Sequence, residues 1–412
     1  MTEHVILRLG HHGDGIAEGP LFVPRTLPGE VVTGEIEGQT LSDIRIQTPS
    51  QDRIAPPCRH YKSCGGCQLQ HASDDFVAQW KQDVVTAALS AHGVETSMRP
   101  IKTSTAQSRR RATFAAKRTK KGSMAGFYYR GSDVVIEIPD CKLLHPAVMT
   151  SLPVAEALAI IGASRKAALA VTVTMAREGL DVSVQNGKPL DGPLRQELAE
   201  FCQRSGLARL TWDGETVAML VPPSQTFGNA NVVLPPGAFL QATSDGEAAL
   251  ATSVSETVSG ARRIADLFAG CGTFTFPLAS NAEVHAVEGD MAMMKALEQG
   301  WRNTQGLKAV TTEARDLFRR PLLPDELAGF DAIVLDPPRA GAAAQVAELA
   351  RAQIPAIAYV SCNPTTFARD AAVLVSAGYS LNWVQVVDQF RWSSHVELAA
   401  NFTTPHMERN QR

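Results

Sequence analysis

The chain has 412 residues, 44% of them hydrophobic, which is too long for one ordinary core and too apolar for disorder, so two or three globular domains are expected. A formal charge of −3 excludes nucleic-acid binding through overall charge and leaves it to a local patch. No apolar run approaches the roughly 18 residues of a membrane span, and the opening "MTEHVILRLGHH" lacks the apolar stretch of a secretory signal. A cytoplasmic protein without membrane contact is the expectation.

Residues 1–52 hold short alternating runs, "HVILRL", "GPLFVP" and "EVVTGEIEG", broken by Gly and Pro, the pattern of a small β-barrel. "RIAPPC" leads into a cysteine-rich segment and then a helical pattern, "SDDFVAQWKQDVVTAALSAHG", running from a Ser73 cap to Gly93. Strand-like runs ("RATFAAK", "AVTVTMA", "DVSVQNG") mixed with helix-like ones ("VAEALAIIGA", "PLRQELAEFCQRSG") predict a central α+β domain over 53–235. Over 236–412 strands alternate with helices ("RRIADLFAG", "AEVHAVEG", "FDAIVLDPP", "IPAIAYVSC", "YSLNWVQVVDQF"), predicting a doubly wound sheet and an α/β fold class.

Seven cysteines in a reducing compartment point to metal, cluster or catalytic thiols and away from disulfides. Cys58, Cys64 and Cys67 fall within "CRHYKSCGGCQ", and Cys141 in "IPDCKLLHP" can supply a fourth thiolate. Four soft ligands suit a [4Fe-4S] cluster or a structural zinc ion. His60, His71 and His145 are close enough in sequence to compete as ligands. Between Ile101 and Arg130 stand nine basic residues (Lys102, Arg109, Arg110, Arg111, Lys117, Arg118, Lys120, Lys121, Arg130) and no acidic one. Phe114, Phe127, Tyr128 and Tyr129 interleave with them, so RNA is the expected partner, its unpaired bases stacking on the aromatics.

"RRIADLFAGCGTFTFPLA" reads as strand, glycine turn and helix, with Gly270 and Gly272 allowing close approach of a ligand. Thr275 stands where a dinucleotide fold places its third glycine, which disfavours a pyrophosphate cofactor. Glu288 ends the next strand, where a carboxylate accepts ribose hydroxyls; Asp316 in "EARDLF" faces an adenine edge, and Asp336 closes "FDAIVLDPP". Carboxylates at successive strand ends match S-adenosylmethionine, whose sulfonium is cationic and which carries no phosphate. Cys362, in "YVSCNPTTF", ends the strand after the one carrying Asp336. A thiolate beside a methyl donor suits methylation of uracil C5: addition to C6 makes C5 nucleophilic, and a base then removes the C5 proton. Glu397 is the expected base, with His395 the alternative.

These motifs resemble the bacterial RNA uracil-C5 methyltransferases, most of all the 23S rRNA (uracil-5-)-methyltransferases. The resemblance spans nearly the whole chain: "GDGIAEGPLFVPRTLPGE", similar to a TRAM barrel, then "CGGCQLQH", "RRRATF", "PDCKLLHP", "FLQ", "DLFAGCGTF", "LDPPRAG", "YVSCNPTTFARD" and "HVE". It implies a class I S-adenosylmethionine-dependent methyltransferase domain behind an OB-like barrel, with a [4Fe-4S] cluster on Cys58, Cys64, Cys67 and Cys141. It places S-adenosylmethionine near Gln241, Phe268, Glu288 and Asp336, with Thr273 and Asp316 beside it, makes Cys362 the nucleophile and Glu397 the base, and implies no obligate protein partner. The substrate it implies is 23S rRNA, with tRNA the alternative. Thr273 stands where the family often has Asn, and "FRWSSHVE" replaces the usual proline- and histidine-containing approach to the Glu. Two other readings compete: an amine N-methyltransferase, which wants an aromatic where Arg339 stands and needs no thiol, and a noncatalytic iron–sulfur RNA-binding protein, which leaves Cys362 and Glu397 idle.

Overall fold

A computed structural model describes residues 2–405. Five strands, β1 (His4–Leu9), β2 (Gly15–Ala17), β3 (Leu21–Val23), β4 (Val31–Glu37) and β5 (Thr40–Thr48), close into a barrel in the order β1-β2-β3-β5-β4. Ile6, Ala17, Val23, Val32 and Leu41 fill its interior. Buried Glu30 accepts hydrogen bonds from the amides of Leu27 and Ser50 and from Arg53, which fastens the barrel to the chain that leaves it. Helix α1 (Asp74–Ser90) starts where the Ser73 hydroxyl accepts the Phe76 amide at 3.2 Å and ends three residues before Gly93. The next strand, β6 (Ser97–Thr103), leaves for the carboxy-terminal sheet.

A seven-stranded sheet follows, ordered β13-β12-β11-β10-β7-β8-β9. Its strands are β7 (Arg111–Arg118), β8 (Ser123–Tyr128) and β9 (Val135–Glu137), then, after helices α2 (Pro146–Met149) and α3 (Leu152–Gly162), β10 (Leu169–Ala176) and β11 (Gly179–Gln185). Helix α4 (Gly192–Arg204) precedes β12 (Arg209–Trp212) and β13 (Glu215–Met219). Apolar residues at alternate positions, Val171 and Val173 on β10, Val182 and Val184 on β11, pack with Leu158, Leu198 and Trp212 under α3 and α4. This alternation is what makes the segment strand-forming. A hairpin, β14 (Ser224–Phe227) and β15 (Ala230–Val233), turns Phe227 and Val232 into the core of the last sheet.

That sheet has eight strands in the order β18-β17-β16-β19-β20-β22-β21-β6. In chain order its elements are α5 (Ser244–Thr257), β16 (Arg263–Leu267), α6 (Thr275–Ala279), β17 (Glu283–Glu288), α7 (Met291–Arg302), β18 (Val310–Ala314), α8 (Pro324–Leu327) and β19 (Ala332–Leu335). They continue with α9 (Ala343–Ala352), β20 (Ala356–Ser361), α10 (Pro364–Ser376), β21 (Ser380–Asp388) and β22 (Leu398–Thr403). All strands are parallel except β22, which runs against both neighbours. "AIVL" of β19 and "AIAYVS" of β20 are buried at every position, the mark of strands covered on both faces. The edge strand β6 comes from the 53–235 segment, and α1 from the same segment packs on α10, so this stretch contributes to two sheets. No described helix is long and apolar enough to cross a membrane.

Helix α1 is locked to the large sheet by Lys81, whose ammonium lies 2.6 Å from the Asp388 carboxylate with both side chains at most 2% exposed. Removing one partner of such a pair leaves a buried charge without compensation. Lys81→Met should therefore cost about 3–5 kcal/mol in urea unfolding, and Lys81→Met with Asp388→Leu should recover most of it. A single variant as stable as the wild type would show the pair to be idle.

Candidate active site

Cys362 follows β20 directly, at the carboxyl end of a parallel strand where doubly wound sheets place their ligands. The chain there turns straight into α10: the Asn363 side chain accepts the Thr365 amide at 3.1 Å, and Pro364 takes the first helical position, where its missing N–H costs nothing. Asn363 also donates to the Arg339 carbonyl at 2.9 Å, as does the Thr366 hydroxyl at 3.2 Å, so "SCNP" and "DPPR" form one bonded pair of loops. Asp336 follows β19, the neighbour of β20. In the β20–β22 ladder Ser361 pairs with Leu398, which brings Cys362 and Glu397 to the same end of the sheet. The predicted thiol, base and Asp336 thus meet in one crevice.

Burial raises all three above their ordinary values. It pushes the Cys362 thiol up to about 11, helped by the charges of Glu397 and Asp336 and opposed by Arg339. It raises Glu397 to about 8, with the Asp336 charge adding to it, while a bond from Gln389 and the Arg339 charge pull down. Asp336 is raised to about 7 by burial and by Asp266 and Glu288. Gln389 is a residue the sequence reading missed. Its amide NH2 donates to Gln241 and, at 3.2 Å, to Glu397, while its carbonyl accepts the Ala242 amide at 2.8 Å. His395, the alternative base, instead sets Nδ1 3.0 Å from an Arg339 nitrogen.

Beside this crevice lies the glycine turn. Gly270 and Gly272 have φ of 56° and 95°, a region that favours glycine, and open space surrounds the position a Gly270 side chain would take. Glu288 accepts the Gly270 amide at 3.1 Å and the Asp290 amide at 2.9 Å. Asp316 caps its own turn by accepting the Phe318 amide at 3.0 Å. The Phe268 and Phe318 rings sit 5.5 Å apart, and Phe318, exposed, was not singled out from sequence. Nor was Asp266, fully buried, with one oxygen bonded by Thr275 and the other without a partner. Asp266, Glu288 and Asp336 gather negative charge beside this turn, each of the two buried aspartates being raised by burial and by the Glu288 charge. Thr273 lies apart from them, in a groove against α5 with Phe227 and Glu247.

Cys58, Cys64, Cys67 and Cys141 line a single cavity of about 360 Å³. Among the described residues, however, no group of three or more His, Cys, Asp or Glu side chains is disposed to hold a metal ion. The histidines have other partners: His60 bonds Asp140 at 2.8 Å, His71 bonds the Tyr61 hydroxyl at 2.6 Å, and His145 caps α2. A groove of about 820 Å³ runs from barrel residues Leu9 and His12, past Phe76 and Trp80 of α1, to Cys362.

The basic run is smaller than its sequence suggests. Arg110 is buried, pairs with Glu247 and donates to the Gln241 carbonyl, so it positions the Gln241 loop. Arg111 donates to the Gly237 carbonyl, and Arg109 lies over the Phe390 ring at 5.6 Å. Phe114 is core. Lys120, Lys121, Tyr128 and Tyr129 remain exposed.

The raised Glu397 gives a test of the site's burial. Between pH 4.5 and about 8 the folded protein keeps a proton that the unfolded chain has released, so this group's contribution to stability falls as pH rises. Glu397→Gln should lose stability less steeply than the wild type across that window in unfolding titrations. Parallel curves would mean that the carboxyl is not held as the acid.

A profile of the family described as tRNA (Uracil-5-)-methyltransferase matches residues 237–403. An RNA methyltransferase of Mesorhizobium japonicum is 43% identical over 98% of this chain and 98% of its own length. The 23S rRNA (uracil(1939)-C(5))-methyltransferase of Halomonas elongata is 34% identical over 100% of this chain and 91% of its own. Among solved structures, Pyrococcus abyssi tRNA (uracil-54, C5)-methyltransferase in complex with S-adenosyl-L-homocysteine superposes with a TM-score of 0.76 at 23% identity, covering 97% of this chain and 99% of that one, which establishes the shared fold. With its thiol, carboxylates and sheet assembled in this way, the chain belongs to the S-adenosylmethionine-dependent RNA uracil-5-methyltransferases.

Proposed function

We propose that this protein methylates C5 of a uridine in 23S rRNA, with Cys362 as nucleophile and Glu397 as base. The observation that carries the reading is the β20–β22 register, which brings a thiol and a buried carboxyl together beside Asp336. The ribosomal substrate is supported by the 34% identical Halomonas enzyme.

The Cys362 thiol releases its proton to water as its sulfur bonds to uracil C6, and the C5–C6 π electrons move onto the C4 carbonyl as an enolate. Arg339, the cation acting on both Cys362 and Glu397, favours the anionic sulfur. The enolate carbon C5 then takes the methyl group, and the C–S bond electrons of the sulfonium stay with the departing neutral sulfide. Glu397, after losing its own proton to water, removes the C5 proton as a carboxylate; the C5–C6 double bond re-forms and Cys362 leaves as the thiolate with the C–S electrons. Every bond formed is matched by one broken, and amine methylation would leave the thiol unused. For the donor, Glu288 has lone pairs left for the ribose hydroxyls, Phe268 and Phe318 flank the adenine, and Gln241 offers its NH2 group to the amino-acid carboxylate. Asp336 would face the sulfonium and Asp316 the pocket's margin, whereas Thr273, expected beside the donor, lies apart in the groove against α5. The groove from the barrel to Cys362 receives the RNA strand, with the exposed lysines at 120 and 121 and tyrosines at 128 and 129 as outlying contacts.

Four thiols lining one cavity of about 360 Å³ are the donor set of the [4Fe-4S] cluster that the family resemblance implies. Cys58, Cys64, Cys67 and Cys141 would hold it, and it would supply a fixed cross-link between the cysteine loop and the central sheet, since methylation includes no redox step. Protein purified without oxygen should carry iron and sulfide at about four each per chain, with the broad visible absorption of such clusters. Cys141→Ala should lose both, and zinc in their place would refute the assignment.

Incubation with 5-fluorouridine-substituted 23S rRNA and S-adenosylmethionine should trap a denaturation-resistant protein–RNA adduct, because fluorine at C5 cannot leave as a proton does. The adduct should vanish in Cys362→Ala. Trapping of substituted tRNA but not of rRNA would move the substrate, and adduct formation undiminished in Cys362→Ala would end the thiol mechanism.

A further inference from the structure

The loop Gln389–Val396 hands the chain from β21 to β22 and delivers Glu397. Its centre, Trp392, departs from the expected approach to the base and plays no part in the chemistry above. The residue is 5% exposed and has φ +61°, a conformation that a bulky side chain rarely adopts. Its carbonyl accepts two amides from the cysteine loop, Gln68 at 2.8 Å and Leu69 at 2.9 Å. Its ring packs with Tyr61, Cys67 and Leu143, against which Cys58 and Cys141 also lie. The cysteine loop therefore grips Trp392 by backbone and ring together.

From Trp392 the path to the base is short and bonded. Ser393 donates its amide to the Phe390 carbonyl at 2.9 Å and accepts the His395 amide on its hydroxyl at 3.2 Å. Glu397 lies two residues on, its own carbonyl accepting the Val387 amide at 2.8 Å. The thiol is fastened elsewhere, through Asn363 and Thr366 to the Arg339 carbonyl. The two supports meet where His395 Nδ1 lies 3.0 Å from an Arg339 nitrogen, but the backbone grip of the cysteine loop falls on the base loop, at Trp392.

We propose that Trp392 is a positioning residue which couples the cysteine loop to Glu397, so that the state of that loop sets the rate of C5 proton removal and leaves sulfur addition and methyl transfer unchanged. This rests on the assignment of Glu397 as the base. Misplacing a catalytic group by about 1 Å slows its step about 100-fold, whereas steps that do not use the group keep their rates.

The test uses the full-length protein with unsubstituted 23S rRNA and S-adenosylmethionine, scored for the methylated covalent intermediate after denaturation. Trp392→Ala should raise the fraction of protein held in that intermediate about 10-fold or more over wild type. Its rate of trapping 5-fluorouridine RNA, which does not require proton removal, should stay within about two-fold of wild type on the same ground. Trp392→Phe, which keeps a ring against Tyr61 and Cys67, should restore turnover. Should Trp392→Ala fold poorly, Trp392→Gly keeps the left-handed backbone unstrained while deleting the ring, and the same accumulation is expected of it. Glu397→Gln is the reference. Accumulation in Glu397→Gln but in neither Trp392→Ala nor Trp392→Gly overturns the positioning role and leaves the base assignment standing. Absence of accumulation in Glu397→Gln removes the base assignment, and this inference with it.

Discussion

One antiparallel strand sets the geometry of everything that reacts. In a wholly parallel sheet each strand enters at the end opposite the ligand crevice, so two strand-borne groups reach that crevice only from carboxyl ends. β22 runs the other way between β20 and β21, so its first residues lie where β20 finishes. A group just before β22 and a group just after β20 must then be neighbours, and these are Glu397 and Cys362. A slip of one residue in this ladder would turn Glu397 to the opposite face of the sheet. The full burial of β20 on both sides leaves no room for one.

The same crevice gathers charge that a folded protein ordinarily avoids. Asp266, Asp336 and Glu397 are all buried deeply enough for their carboxyls to be raised, and Glu288 adds a further negative field. Such a cluster is unfavourable alone and favourable around a cation, which accounts for carboxylates at successive strand ends where a phosphate-binding fold would place glycines. Cation binding there also draws the carboxyls toward their charged forms.

Much of this was legible in the sequence because it is written in short, contiguous signals. The glycine turn, "LDPPRAG" and "SCNP" mark strand ends, and local patterning marked the alternation of strands and helices in the last sheet. What escaped depends on partners far away in the chain. Arg109, Arg110 and Arg111 read as a nucleic-acid patch, and only the fold reveals that Glu247, the Gly237 carbonyl and the Phe390 ring occupy them. Gln389 looked like any polar residue ending a strand until its contacts with Gln241 and Glu397 were seen. β6 carries weak alternation and a proline, so nothing local assigned it to the edge of a sheet whose other strands begin more than 150 residues later. Phe318 and Asp266 sat inside motifs already noted, and no spacing rule distinguished them from their neighbours.

Under the proposed mechanism, Cys362 and Glu397 also impose an order on the chemistry. A charged Glu397 raises the Cys362 thiol, so sulfur ionises most readily while Glu397 still holds its proton. Removing the C5 proton requires the opposite state, with Glu397 charged. The covalent bond resolves the conflict: sulfur bonded to C6 carries no charge and no longer opposes a carboxylate beside it. A site that buries both groups can therefore charge them one after the other, with the thiol loop held through the Arg339 carbonyl and the base loop through Trp392.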